Sequence, residues 1–177
     1  MVHHMELPFL LLQSFWFIAP AYAANGFPPL MRGRISIDGG KKYNGARLLG
    51  DGKTWEGLLG GIIFGIFIGS LQIYGQSYLP QELGLAEMTF PIVALLTLGT
   101  MAGDVGGSFV KRRMKMKRGD RAVFLDQLGF LLLAFLFVWP VYIPRLDVMV
   151  VLVLLTPIIH WLANVLGYWI KVKRNPW

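Results

Sequence analysis

Long apolar blocks, separated by shorter polar segments, dominate the pattern of hydrophobic and polar positions along this chain. Each block is about as long as a helix must be to cross a hydrocarbon core of about 30 Å. The predicted spans cover residues 7–24, 57–79, 88–110, 122–143 and 148–170. We therefore expect an all-α, polytopic membrane protein in which residues 1–177 form a single transmembrane domain, a bundle of about five helices.

The composition agrees with this interpretation. Of the 177 residues 55% are hydrophobic and the mean hydropathy is +0.54, whereas a soluble domain is about 45–50% apolar. The spans and their connections use the whole length, which leaves no room for a separate soluble domain. The chain has no cysteine, which excludes disulfides, a thiolate nucleophile and a cysteine-ligated metal site.

The basic residues are strongly segregated along the chain. All of the 17 Lys and Arg residues except Arg145 lie in residues 25–56, in residues 111–121 or in the tail that begins at residue 171. In a five-span bundle these three segments share one face, and the excess of positive charge makes that face cytoplasmic. We expect a multi-pass cell-membrane protein with its N-terminus outside, its C-terminus inside and its active site facing the cytoplasm.

The first span has an alternative interpretation as a signal peptide. Residues 10–24 end in Ala21-Tyr22-Ala23-Ala24, which resembles a cleavage site. The residues before this stretch include no Lys or Arg, and cleavage would leave every basic loop outside the cell. A membrane span is the preferred interpretation.

Glycines recur at intervals of four in the second and third spans. Residues at this interval share one helix face, where glycine lets two backbones approach closely. We expect most of them to serve helix packing, whereas those beside Asp104 also leave room for a ligand. The glycines are Gly57, Gly61, Gly65 and Gly69 in the second span, and Gly99, Gly103 and Gly107, with Gly106, in the third.

Two carboxylates lie inside predicted spans, where a charge is costly and therefore indicates function. Asp104 is in the third span and Asp126 is at the start of the fourth, both toward the basic face. Together with the hydroxyl of Ser108 they predict an oxygen-ligated Mg²⁺ site. The alternative is a buried salt bridge to Lys111 or Arg112.

Ser108, Lys111 and Arg112 follow Asp104 at spacings that place all four on one face of a continuing helix. An acidic group, a hydroxyl and two cations on one stripe can hold a metal ion and a polyphosphate together. The outer basic residues are expected to attract anionic lipid head groups instead. These are Lys115, Lys117 and Arg118.

The segment 25–56 is unusually long and glycine-rich for a connection between helices. Its sequence Gly50-Asp51-Gly52-Lys53-Thr54 can present backbone N–H groups and an ammonium to phosphate, next to a helix N-terminus that favours anions. It is not a Walker A loop, since Arg47 stands where that motif needs its first glycine. On the fifth span His160 and Asn164 share a face, either for interhelical hydrogen bonding or to line a site.

The ordered motifs resemble those of the CDP-archaeol synthase family, the archaeal relatives of the phosphatidate cytidylyltransferases. The resemblance covers nearly the whole chain. Gly129 departs from the bacterial-type signature, which has a second aspartate at that place, so another group would have to complete a two-metal site. The similar motifs are Asn25-Gly-Phe-Pro-Pro, Asp38-Gly-Gly-Lys, Gly50-Asp-Gly-Lys-Thr-Trp-Glu-Gly, Gly103-Asp, Ser108-Phe-Val-Lys-Arg, Lys117-Arg-Gly-Asp, Leu125-Asp-Gln, His160, Asn164 and the ending Lys173-Arg-Asn-Pro-Trp.

The resemblance implies a cytidylyltransferase that converts CTP and digeranylgeranylglyceryl phosphate into CDP-archaeol and pyrophosphate with Mg²⁺. We expect CTP, a lipid phosphate and the surrounding membrane lipids as partners, no nucleic acid, and no sequence signal for an oligomeric state. The alternatives are a transporter or another lipid-head-group transferase. In the proposed site Asp104 and Asp126 hold the metal, Lys111 acts in catalysis, Lys53, Thr54, Ser108, Lys111 and Arg112 bind phosphates, and Asn25 and Asp51 shape the nucleotide pocket.

Overall fold

The computed structural model describes residues 7–116 and 122–172, and most of these residues are helical. Two expected motifs, Lys117-Arg-Gly-Asp and Lys173-Arg-Asn-Pro-Trp, lie outside this range. A small hairpin, which the sequence interpretation did not include, sits in the first long connection. The elements are α1 Leu7–Gly26, α2 Pro28–Met31, β1 Lys42–Tyr43, β2 Ala46–Arg47, α3 Trp55–Gly75, α4 Phe90–Arg113, α5 Val123–Gln127, α6 Gly129–Val138 and α7 Leu146–Trp169.

In the described residues four helical segments are long and apolar enough to cross a membrane: α1 together with α2, α3, α4 and α7. They match four of the predicted spans to within a few residues. The remaining predicted span, 122–143, differs, because it is divided into α5 and α6 on either side of Leu128. With 10 residues, α6 is only about 15 Å long. The division falls beside Gly129, a residue type with weak helical preference.

Hydrogen bonds define two ends of the bundle. At one end, which we call the loop end, Arg113 Nη2 of α4 donates to the carbonyl oxygen of Arg47 over 2.7 Å. At the opposite end Arg145 Nη1, just before α7, donates to Gln13 Oε1 of α1 over 3.1 Å. The segment that contains α5 and α6 therefore connects the loop end, where α4 finishes, to the opposite end, where α7 begins.

The α3 helix shows an arrangement opposite to that of a soluble protein. Five of its glycines are buried against the bundle, whereas four large apolar side chains point outward and are each more than half exposed. In water this surface would be unfavourable, but hydrocarbon tails are as apolar as leucine. The outward residues recur every four positions, at Leu59, Ile63, Phe67 and Leu71.

Close backbone contact explains the glycine spacing. A Cβ built on Gly65 would lie 2.8 Å from both the Pro20 carbonyl oxygen of α1 and Thr97 Oγ1 of α4. A Cβ on Gly103 would lie 2.6 Å from Phe130 Cα of α6. The packing interpretation of these glycines is confirmed, and it extends to Gly103, which the sequence also suggested as space for a ligand. The core around these contacts joins α1, α4, α6 and α7 through fully buried side chains such as Phe17, Leu96, Leu131 and Leu152.

Candidate active site

A cavity of about 760 Å³ lies at the loop end, between the connection that follows α1 and the helices α1, α4 and α7. Its lining includes charged side chains from the loop and α4 and polar side chains from α1 and α7. The charged residues on the described lining are Arg32, Asp51, Lys53 and Asp104. The site is best understood from the loop that positions two of them.

The Asp38 carboxylate organises this loop. Its side chain is only 1% exposed and pairs with Arg47 Nη2 at 2.5 Å. The Arg47 guanidinium is the largest cause that holds the pKa of Asp38 far below its ordinary value, and the same pairing raises the pKa of Arg47. The carboxylate also accepts hydrogen bonds from Ser36 Oγ (2.5 Å) and from the backbone N–H groups of Gly40 (3.1 Å), Leu49 (3.0 Å) and Gly50 (3.0 Å).

A tight turn then carries Asp51 and Lys53 into the cavity. Gly50 has φ +89°, a left-handed conformation that favours glycine. The N–H of Lys53 donates back to the Gly50 carbonyl oxygen over 3.2 Å, and the Lys53 carbonyl oxygen accepts from the Ile37 N–H over 2.9 Å. Arg47 Nη1 donates to Asp51 Oδ1 over 2.6 Å, so the Asp38 cluster also holds the turn.

Thr54 ends the turn and caps α3. Its backbone is extended, and Oγ1 accepts a hydrogen bond from the Gly57 N–H over 3.2 Å. A Cβ on Gly33 would lie 2.2 Å from Thr54 Oγ1, so this approach requires glycine. Thr54 and Gly57 both line the cavity, and the positive end of the α3 dipole therefore faces it.

Lys53 and Asp104 form an ion pair on the cavity wall. Lys53 Nζ lies 2.6 Å from Asp104 Oδ2, and the two side chains are 22% and 25% exposed. The pair joins the loop to the middle of α4. Because both groups line the cavity, an entering anion can approach the ammonium without crossing the protein.

A second lysine–aspartate pair lies two turns further along α4. Lys111 Nζ is 2.6 Å from Asp126 Oδ1, and Asp126 Oδ2 accepts from the Ala122 N–H over 3.2 Å. For Asp126 the structure therefore shows the salt bridge to Lys111 that the sequence left open as the alternative to a metal site. Nearby, Ser108 is buried and Arg112 Nη1 donates to the Met116 carbonyl oxygen over 2.5 Å.

The structure thus separates the predicted site residues into two groups. In the part of the chain that is described, the cavity lining includes five of them: Asn25, Asp51, Lys53, Thr54 and Asp104. The other four are Ser108, Lys111, Arg112 and Asp126, which lie around the junction of α4 and α5 and are not on that described lining.

The donor set around Asp104 fits the way Mg²⁺ binds with a nucleotide. Within residues 7–116 and 122–172 no three acidic or histidine side chains converge, so a cage made only of side chains is not found there. Mg²⁺ commonly uses one or two carboxylates and takes its remaining ligands from phosphates and water. Asp104 supplies one carboxylate on the cavity wall, with Asn25 and Asp51 on the same lining.

Sequence reasoning missed three polar contributions to the site. The sequence named Asp38 only as part of a motif and gave no sign that its carboxylate holds the loop together. Arg113 Nη1 donates to the Tyr43 carbonyl oxygen over 2.9 Å and anchors the hairpin to α4. Tyr22 Oη of α1 lies 2.6 Å from Thr156 Oγ1 of α7 on the cavity lining, and neither residue stood out within its apolar span.

Comparison with known proteins gives consistent results. The family model described as CDP-archaeol synthase (CarS-like) matches residues 7–177. The CDP-archaeol synthase of Pyrococcus horikoshii is 48% identical over 169 residues, covering 94% of this chain and 97% of that protein. The CDP-archaeol synthase of Archaeoglobus fulgidus is 37% identical over 183 residues, covering 95% and 98%.

The fold is also similar to that of a solved structure, an intramembrane enzyme for archaeal membrane lipid biosynthesis. The two chains share 36% sequence identity and superpose with a TM-score of 0.75. The similarity covers 87% of this chain and 94% of the other.

Proposed function

This chain belongs to the CDP-archaeol synthase family, and we propose that its cavity transfers a cytidylyl group from CTP to a lipid phosphate. The family resemblance found in the sequence is confirmed by these matches. The chain is accordingly an enzyme of archaeal lipid biosynthesis, a CTP-dependent cytidylyltransferase with several membrane-crossing helices.

The reaction needs no enzyme nucleophile. A phosphate oxygen of digeranylgeranylglyceryl phosphate attacks the α-phosphorus of CTP, and the bond from that phosphorus to the bridging oxygen of the β-phosphate breaks. The products are CDP-archaeol and pyrophosphate. The protein must bring two anions together, align them and stabilise the charge on the leaving group, which preorganised cations can do.

The Lys53–Asp104 pair in the cavity is the observation that carries this proposal. Lys53 is placed to exchange its carboxylate partner for a triphosphate oxygen. Arg32 on the same lining and the positive end of α3 add to the attraction. Arg112 adds a further positive charge beside the turn at Gly50, since a Cβ built on Gly50 would lie 3.9 Å from Arg112 Nε.

We propose that Mg²⁺ binds at Asp104 together with phosphate oxygens of CTP. Asp104 would then hold the ion in the cavity while Lys53 turns to the phosphates. When bound, Mg²⁺ supplies charge neutralisation of the triphosphate. Asp126 would contribute as a second ligand only if Lys111 released it, since these two groups are paired at 2.6 Å. Ser108 and Lys111 are proposed to support the phosphate end of the site from the α4–α5 junction.

The cavity is proposed to face the cytoplasm, where CTP is available. The described parts of the basic segments lie at the loop end, where Arg113 contacts the hairpin and Val172 lines the cavity, and the positive-inside rule favours the cytoplasm for that end. The route from α4 through α5 and α6 to α7 supports five passages and an N-terminus outside. A transporter is disfavoured, since it would place polar groups along the midplane of several spans rather than at one end.

The direct test is an assay of purified protein in detergent with radiolabelled CTP, Mg²⁺ and a dialkylglycerol phosphate. We expect equal amounts of pyrophosphate and CDP-lipid, and no turnover when the lipid phosphate is replaced by the corresponding dialkylglycerol. Absence of CDP-lipid, with solute uptake into proteoliposomes that needs no CTP, would replace this function by transport.

A further inference from the structure

The α7 helix changes its surroundings along its length. In its first half Val148 and Leu152 belong to the buried core. Beyond Pro157, which removes one hydrogen bond from the helix interior, the second half borders the cavity. The α7 helix is also the least buried of the four described long spans. In its second half Ile158 and Leu162 are exposed while other residues line the cavity, so this half separates the cavity from the outer surface of the bundle.

A polar stripe runs along the cavity side of this half of α7. Thr156, His160 and Asn164 are four residues apart, about 6 Å per step along the helix, and all three line the cavity. Thr156 is 1% exposed and Asn164 is 6% exposed. Thr156 contacts Tyr22 of α1, and Asn164 Nδ2 lies 3.3 Å from His160 Nδ1.

This stripe differs in chemistry from the part of the lining formed by the loop and α4. That part contains the ion pair of Lys53 and Asp104, whereas the stripe consists of hydroxyl, imidazole and amide groups. A triphosphate, with its high charge density, is drawn to the lysine and to Arg32 on the same lining. The lipid phosphate must enter from the bilayer, and the face of α7 that points away from the stripe meets lipid through exposed side chains such as Ile158 and Leu162.

We propose that the stripe is the subsite for the head of the lipid substrate, with His160 and Asn164 on its phosphate and Thr156 with Tyr22 on its glycerol. This proposal rests on the cytidylyltransferase function above. It assigns CTP to the part of the lining formed by the loop and α4, and the lipid head to the part formed by α1 and α7, so that the two phosphates meet in one cavity.

The chemistry of the stripe suits an ether lipid. Asn164 Nδ2 donates to His160 Nδ1 only in the tautomer that carries its proton on Nε2, and in that tautomer the ring offers an N–H to a phosphate oxygen. Ether oxygens only accept hydrogen bonds; because Tyr22 and Thr156 share one hydrogen bond, one O–H of the pair is left to donate to the lipid.

The test separates the KM for lipid phosphate from the KM for CTP in mixed micelles. His160→Ala and Asn164→Leu are expected to raise the KM for a dialkylglycerol phosphate tenfold or more, while the KM for CTP changes less than twofold. Asn164→Leu removes the amide without adding a charge that would also repel CTP. Leu162→Ala, on the lipid-facing side of the same helix, is the matched control and should change neither constant. A rise confined to the KM for CTP, an equal rise of both, or no rise of either would overturn the assignment.

A second measurement distinguishes a lost lipid subsite from a misfolded variant and from a wrong proposed function. Equilibrium binding of a radiolabelled dialkylglycerol phosphate, without CTP, should weaken about tenfold in His160→Ala and recover substantially in His160→Gln, which keeps a donor at this place. Elution of the variant as a single detergent-solubilised species shows that it is folded. If the wild-type protein binds this lipid but forms no CDP-lipid, the proposed function fails while the subsite stands. Unchanged lipid binding in a folded His160→Ala protein overturns the subsite.

Discussion

The two lysine–aspartate pairs of α4 have the same chemistry and different surroundings. In each pair the lysine nitrogen lies 2.6 Å from a carboxylate oxygen, and all four side chains are partly buried. Lys53 comes from the glycine-rich loop and meets Asp104 on the cavity wall, whereas Lys111 lies on α4 itself and meets Asp126 at the start of the next helix. The first pair can exchange partners with a substrate, and the second pair braces a junction.

Under the proposed function, the two pairs differ in whether a substrate can reach them. A partly exposed ion pair contributes little net stability, about 0–1 kcal/mol. The position of the first pair on the cavity lining therefore fits the proposal that a ligand replaces one of its partners. The predictions below test whether the two pairs differ in this way.

Replacing the carboxylates should give the largest contrast. Asp104→Asn is expected to lower kcat/KM for CTP about 100-fold or more, the scale of losing one electrostatic group at a reacting centre. Asp126→Asn should lower it less than about tenfold, since Asp126 is not on the described cavity lining. Steady-state pyrophosphate release measures both. Equal losses in two folded variants would place both carboxylates in the site and remove the distinction.

The lysines sharpen the same contrast through binding. Lys53→Gln should raise the KM for CTP about tenfold, because a charged contact to the triphosphate is lost. Lys111→Gln should leave the KM for CTP within about threefold and lower the thermal midpoint instead, since Asp126 loses its cationic partner and keeps the contact from the Ala122 N–H. Initial rates at varied CTP and a melting curve followed by tryptophan fluorescence give the two numbers. A larger KM change in Lys111→Gln would reverse the assignment.

Asp38 tests whether the cavity pair depends on an ordered loop. Asp38→Asn leaves Arg47 without its buried carboxylate, and breaking a buried pair costs about 3–5 kcal/mol; the partial exposure of Arg47 favours the lower end. Trypsin should then cut after Lys41, Lys42 or Arg47, and the KM for CTP should rise several-fold. Resistance to trypsin equal to that of the wild type would show that the loop does not need this cluster.

The same carboxylate predicts a pH dependence. The folded pKa of Asp38 is lowered below the unfolded value of about 3.9, so its stabilisation is complete above that pH and is lost only as the pH falls through the folded value. Hydrogen exchange of the Leu49 and Gly50 amides, corrected for intrinsic rates, should show unchanged protection from pH 7 to about pH 4. Loss of protection near pH 5 would contradict the lowered pKa.

Arg113 should give the smallest effect. It anchors the hairpin through the carbonyl oxygens of Tyr43 and Arg47 and packs over the Tyr43 ring at 5.3 Å. Arg113→Lys cannot make both contacts with one compact ammonium, and we expect a two- to threefold rise in the KM for CTP. Arg145→Lys at the opposite end is the control and should leave this constant unchanged.

The spans were predictable because bilayer thickness sets helix length, and the apolar blocks report it directly. The exception at 122–143 arises because hydropathy does not register the division beside Gly129. The hairpin is marked in the sequence by the dipeptide Asn44-Gly45, although the sequence analysis did not predict it. Asn44-Gly45 joins β1 to β2 with φ of +49° and +78°, the positive values that make Asn-Gly a strong hairpin marker.

The sequence allowed the residues of the candidate site to be predicted, but not which of them form ion pairs with one another. The turn Gly50–Thr54 and Asp104 were identified from phosphate and membrane chemistry, and Asp104 lines one cavity with the last four residues of that turn. The sequence grouped Asp104 with Lys111 because helix spacing shows which residues share a face. It could not show that Lys53, 51 positions away, reaches Asp104, since loop placement depends on the Asp38 cluster and on tertiary contacts.

The central claim is that the CTP triphosphate binds at Lys53 and Asp104. It is tested most directly by an experimental structure with Mg²⁺ and a non-hydrolysable CTP analogue. The account predicts triphosphate oxygens within about 3.2 Å of Lys53 Nζ, with Asp104 beside them and the Lys111–Asp126 pair intact. A triphosphate bound beside Lys111 and Asp126, with Lys53 still paired to Asp104, would contradict it.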